Sequence, residues 1–118
     1  MTLTEFLTAR LAEDEYHAKV AQLRGPGPWT HEPADSGLPG AEDMHDSHGD
    51  AVAIVRGSYI ADYLTRHDPA RVLREVEAKR KLIKEVTARS SPEVAQIYLA
   101  TLAAVYSDHP DYQNDWGV

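Results

Sequence analysis

His67-Asp-Pro-Ala-Arg-Val-Leu-Arg-Glu-Val-Glu-Ala-Lys-Arg-Lys-Leu-Ile-Lys-Glu-Val-Thr-Ala-Arg89 is the stretch on which the fold turns. Asp68 is placed to cap a helix, because its carboxylate accepts the free N–H groups of a first turn. Pro69 follows at the first helical position, where its missing N–H costs nothing and its fixed φ suits the helix. No Gly or Pro then intervenes until Pro92. Val72, Val76, Ile83 and Val86 share one narrow face at 100° per residue, flanked by Leu73 and Leu82 and interrupted by Lys79. Glu75–Lys79, Glu77–Lys81 and Glu85–Arg89 are acid-first i, i+4 pairs, each adding a few tenths of a kcal/mol. The pattern predicts a central helix over 69–89.

On its N-terminal side, Gly57 and Ser58 open a short helix over 58–66, with Ile60, Tyr63, Leu64 and His67 as its apolar side. Ala51-Val-Ala-Ile-Val55 favours β structure and predicts a strand over 51–56, paired with one around Trp29 to His31 in a small hairpin-like element. Residues 24–50 hold four of the seven prolines, five of the seven glycines and six carboxylates, with no Lys or Arg after Arg24. Such a segment buries too little apolar surface to offset its ordering entropy, so a loop is expected there. Trp29, directly after Pro-Gly-Pro, is read as an anchor against the core. A first helix is predicted over 2–23. Thr2-Leu-Thr-Glu5 has capping-box spacing, Leu3, Phe6, Leu7 and Leu11 form a stripe, and Tyr16, Val20 and Leu23 form a second, rotated face. Glu13-Asp-Glu15 is an acidic cluster read as solvated, and Gly25-Pro-Gly-Pro28 ends the helix.

On the C-terminal side, Ser90-Ser-Pro-Glu93 repeats the start signal, with Ser90 read as the cap. The helix it opens, over 92–106, is apolar on nearly every side and is predicted to be the most buried element. A polar tail over 107–118 follows, its aromatics Tyr112 and Trp116 folded back onto the surface.

The reading is a mainly α fold of three longer helices and one short one, with a small β element, in a single 118-residue domain. Leu, Ile, Val and Phe make up about a fifth of the chain, near the level where a highly charged sequence fails to fold alone. Self-association is therefore expected, through the central helix, the 92–106 helix, or both. The absence of cysteine excludes disulfides and thiolate metal sites. No apolar run reaches membrane-spanning length and the N-terminus lacks a basic leader, so a cytoplasmic, membrane-free location is expected. The net charge of −7 conceals a split: +4 between Arg71 and Arg89, and −11 elsewhere. The acidic total argues against a general nucleic-acid binder.

Candidate chemistry is sparse. His45, His48 and Asp50 offer imidazole and carboxylate ligands of a type that suits a divalent ion, in a segment read as too flexible to hold one. His67-Asp68 is similar to the His-Asp pair of metal-dependent phosphohydrolases, but Asp68 is accounted for as a cap. His109 and Asp111 pair imidazole with carboxylate in a way that suits acid–base work, in a tail where turn chemistry explains them equally. Neither a metal nor a cofactor is expected. Arg71, Arg74, Arg80, Lys81 and Lys84 spread round the solvated back of the central helix, with Glu77 and Glu85 among them, and are the candidates for docking an acidic partner. Trp29 and Trp116 are the aromatic partner candidates. The reading is a non-enzymatic interaction or regulatory protein. A hydrolase using His67, Asp68, His109 and Asp111, and nucleic-acid binding through 71–89, stand as alternatives.

Four blocks carry a resemblance: Phe6-Leu-Thr-Ala-Arg-Leu-Ala-Glu-Asp-Glu15, Pro26-Gly-Pro-Trp29, Arg66-His-Asp-Pro-Ala-Arg-Val-Leu-Arg-Glu-Val-Glu-Ala-Lys-Arg80 and Tyr106-Ser-Asp-His-Pro-Asp-Tyr112. In this order they resemble a family of small actinobacterial and actinophage proteins known only as a domain of unknown function. Many members carry a Cys-containing insertion where this chain has the cysteine-free 92–106 helix, so no zinc role is carried over. The layout is also distantly similar to accessory early proteins of tailed phages. The resemblance implies a phage or mobile-element setting and supplies no activity and no catalytic residues.

Overall fold

Thr2 and Glu5 close the capping box that starts the first helix. The Thr2 N–H donates to Glu5 Oε1 at 3.0 Å, and the Glu5 N–H donates to Thr2 Oγ1 at 3.1 Å. The computed structural model describes residues 1–35 and 38–117. Its helices are α1 (Leu3–Arg24), α2 (Ser58–Arg66), α3 (Pro69–Arg89) and α4 (Pro92–Ala103), and its strands are β1 (Thr30–Pro33), β2 (Ala41–His45) and β3 (Ala51–Arg56). Short 3-10 turns cover Ala104–Tyr106 and Asn114–Trp116. The protein is mainly helical, with four helices and one three-stranded antiparallel sheet. It divides into two compact units, residues 1–14 with 76–118 and residues 15–75.

The first unit owes its core to the predicted stripe. Leu3, Phe6 and Leu7 pack with Leu99, Ala100 and Ala103 of α4 and with Trp116, while Ile83, Leu102, Tyr106 and Tyr112 close around them. The 92–106 helix gives way to a 3-10 turn at Ala104, and its cap is Ser91 rather than Ser90, with the Val94 N–H donating to Ser91 Oγ at 3.3 Å. It is also not the all-round buried element expected. Its inner face is Ala95, Leu99, Ala100 and Ala103, whereas Val94, Ile97 and Tyr98 are exposed, as is Val105 in the following turn. Three of these four inward residues are alanines, and Leu99 is the one large side chain among them. Trp116 goes deeper than the surface contact expected of the tail and joins the core.

The second unit holds the sheet, in the order β1-β2-β3. Two expectations are corrected here. β1 falls where a strand around Trp29 to His31 is expected, but the rest of the 24–50 segment, read as loop, contains β2, and β3 pairs with β2 rather than with β1. The sequence Ala41-Glu-Asp-Met-His45 has poor β propensity. What makes it the central strand is burial: Met44 is 1 % exposed and Glu42 is buried beside it on the strand's inner face. The Gly57 N–H donates to Gly40 O at 2.6 Å, and both glycines have positive φ, which closes the β2–β3 end where α2 begins. Fully buried Ala61 lies on the inner side of α2, while Ile60 and Tyr63, expected on its apolar side, are exposed. The second face of α1 is exposed too, with Tyr16, Val20 and Leu23 all in solvent. Buried apolar side chains in this unit are few, and its buried carboxylates Glu42, Asp46 and Asp68 take over part of the fastening.

Candidate functional site

Pro26-Gly-Pro-Trp29 and His67-Asp-Pro69 meet at one buried carboxylate. Asp68 Oδ1 accepts the Arg71 N–H at 3.0 Å, the predicted cap of α3, while Oδ2 accepts the Trp29 N–H at 3.0 Å. A Cβ on Gly27 would stand 2.8 Å from that same Oδ2, so only glycine lets the chain pass. The Gly27 N–H donates to Gln22 Oε1, and Pro26 O accepts the Ser47 N–H, which ties the end of α1 to the β2–β3 turn. Trp29 is half-buried, its indole N–H donating to Gly25 O at 2.6 Å. His67 stacks on Tyr63 with ring centroids 4.5 Å apart. The motif that suggested phosphohydrolase chemistry is thus engaged in capping and stacking.

A second fastening lies in the first unit. Buried Arg10 sits 5.2 Å from the Phe6 ring centroid, bonds Glu13 at 2.9 Å, and meets the His109 ring, whose Nδ1 is 2.7 Å from Arg10 Nη1. The Asp111 N–H also reaches His109 Nδ1, at 3.0 Å, and the Asp111 carboxylate is 3.9 Å from Arg10. Phe6 touches Tyr106, His109, Tyr112 and Trp116, all with centroids within 6.3 Å. Tyr106 donates its hydroxyl to Asp14 Oδ2 at 2.6 Å. The Glu13-Asp-Glu15 cluster is therefore three separate contacts: Glu13 to Arg10, Asp14 to Tyr106, and Glu15 to Lys19 at 3.6 Å. Arg10 Nε is buried with no hydrogen-bond partner among the described residues.

His45 ends β2, and His48 and Asp50 belong to the turn between β2 and β3. Buried Asp46 organises that turn by accepting the N–H groups of His48 at 2.8 Å and Asp50 at 3.0 Å. Among the described residues no group of three His, Asp or Glu is placed to hold a metal ion. Of the basic candidates, Arg71 bonds Glu75 at 3.0 Å and the Arg66 carbonyl at 2.9 Å, while Arg74, Arg80, Lys81 and Lys84 are exposed. Trp116 is buried in the core cluster of the first unit.

One constellation had no signal in the sequence. His31 on β1 places Nδ1 2.7 Å from Glu42 Oε1 on β2 and Nε2 2.7 Å from Asp62 Oδ1 on α2. Two acceptors, one at each nitrogen, call for the doubly protonated ring. The hydrogen bond to Asp62 first, and that to Glu42 second, hold the His31 pKa above the ordinary 6.5. With the folded value above the unfolded one, the stabilisation is complete below the unfolded value and is lost as pH rises through the raised value. Stability measured by urea unfolding should therefore fall as pH rises above 6.5 more steeply in the parent than in His31→Gln. Parallel profiles for the two proteins would dismiss the clamp.

These features define a mainly helical scaffold whose recognisable sequence blocks are spent on internal fastening, with large apolar side chains left on its surface. The chain belongs to DUF6221, a family of unknown function, with the match running over residues 1–118. No curated protein and no solved structure matches it. Among the described residues no helix is long and apolar enough to cross a membrane.

Proposed function

We propose that the protein is a non-enzymatic interaction factor that self-associates through α4 and binds a further protein in the cytoplasm. The observation that carries this reading is the inverted distribution on α4, which turns mostly alanines inward and leaves Val94, Ile97, Tyr98 and Val105 in solvent. At 100° per residue Val94, Ile97 and Tyr98 lie on one face, so a second copy of the same helix would cover them together. Contiguous apolar surface of this kind is what an interface core is made of. The actinobacterial and phage setting implied by the sequence resemblance suits an accessory factor of this kind. His67, Asp68, His109 and Asp111 each have local structural partners, so no specific contact favours the hydrolase alternative.

Sedimentation velocity over a concentration series tests the reading. The parent should sediment as a dimer or larger, and Ile97→Asp should weaken that association by about 30-fold or more, the scale of losing one interface anchor. A parent that stays monomeric at about 100 μM, a concentration at which even weak specific dimers form, would overturn it.

A further inference from the structure

The ladder between β2 and β3 has a phase that can be read directly. Gly57 donates to Gly40 O, so Val55 and Ala53 are the β3 residues that exchange hydrogen bonds with Glu42 and Met44. Ile54 and Arg56 consequently turn their N–H and C=O groups to the outer edge. Among the described residues no backbone bond to those outer groups occurs. Ala51, Ala53, Ile54 and Arg56 are exposed, Ile54 at 62 %. The opposite edge is blunted: β1 presents His31 and Pro33 outward, and Pro33 has no N–H to offer. β3 has no proline and no charge before Arg56, so it lacks the usual protection of an edge strand.

Two further features select what the edge accepts. A hollow of about 240 Å³ beside it is lined by Leu38, Pro39, Ala41, Ile54, Val55 and Arg56, and takes an apolar side chain. On the sheet face that carries Ile54, the register sets Ile54 beside Asp43 and Asp43 beside Glu32, an acidic row one strand inward. A Lys or Arg on a strand added next to β3 can lay its stem over Ile54 and bring its charge towards Asp43. A second copy of β3 would instead set two acidic sheets side by side.

We propose that the outer edge of β3 is a strand-addition site for an extended segment of a partner protein that carries both apolar and basic residues. This deepens the reading of the chain as an interaction factor by naming the kind of partner and its seat. It needs no self-association through α4, and the two readings are tested by different measurements. Main-chain hydrogen bonds at Ile54 and Arg56 supply the docking geometry, and the acidic row and hollow supply the preference.

The test uses the full chain and three octapeptides capped at both ends: alternating Val and Lys, alternating Val and Glu, and the Val–Lys peptide N-methylated at alternate residues. Amide hydrogen exchange and titration by NMR are the readouts. The Val–Lys peptide should protect the Ile54 and Arg56 amides selectively, at least three-fold, and bind more tightly than the Val–Glu peptide. N-methylation on the edge-facing side should abolish the protection while leaving charge and side chains unchanged. Ile54→Pro removes only an outward N–H, leaves the β2 ladder intact, and should weaken Val–Lys binding by about three- to ten-fold. Equal binding of the N-methylated peptide would overturn the proposal, because the contact would then be charge alone. Loss of dimer in Ile54→Pro with no peptide protection in the parent would also overturn it, by making a second copy the occupant.

Discussion

Phe6→Ala should cost the first unit about 3–5 kcal/mol, the scale of deleting a fully buried aromatic ring. Phe6 is 0 % exposed and stands at the centre of the Tyr106, His109, Tyr112 and Trp116 ring contacts. Removing it empties the seat of the 107–116 tail as well as the stripe of α1. The guanidinium of Arg10 also loses the ring it rests on, with its Nε already unpartnered. A denaturant titration followed by circular dichroism gives the loss. The near-ultraviolet aromatic signal should collapse further than the helical signal under native conditions. A loss below about 1 kcal/mol would mean that the tail is held without Phe6.

Asp68 is the second sensitive point, because one carboxylate serves two elements. Asp68→Ala removes the cap of α3, worth about 0.5–2 kcal/mol, and leaves the Trp29 N–H without its acceptor, worth about 1–3 kcal/mol. The combined expectation is about 1.5–5 kcal/mol in the second unit. Asp68→Asn keeps one carbonyl oxygen for the two donors and should fall between parent and alanine. Hydrogen exchange locates the effect: the Trp29 and Arg71 amides should lose protection together in Asp68→Ala. If only Arg71 changes, the carboxylate is a cap and nothing more.

How far the fold is legible depends on whether a local signal agrees with the tertiary demand. The capping box at Thr2 and Glu5 and the Asp68-Pro69 start are chemistry between near neighbours in sequence, and both appear in the structure as expected. β2 is the opposite case. Nothing in Ala41-Glu-Asp-Met-His45 favours a strand, and Glu42 is drawn in by His31 eleven residues away, a pairing no window along the chain displays. The apolar character of α4 is plain in its sequence, but which half faces inward is set by packing against Leu3, Phe6 and Leu7, residues far away along the chain. The same limit governs the candidate site. Asp68 as a cap is local and readable, whereas its bond to Trp29 spans 39 positions. The outer edge of β3 depends on ladder phase, which exists only once β2 is in place.

The four blocks that resemble the family serve the interior. Arg10 and His109 join the first block to the last, and Asp68 joins the second to the third. The surfaces at α4 and β3 lie outside these blocks.

The two tryptophans have a practical consequence. Trp116 lies in the core of the first unit and Trp29, half-covered, at the end of α1 in the second. The chain has no others. Each unit thus contains its own fluorophore, and the emission of the intact chain is the sum of two local signals. Replacing either indole by phenylalanine separates them and gives each half of the chain an optical record of its own unfolding.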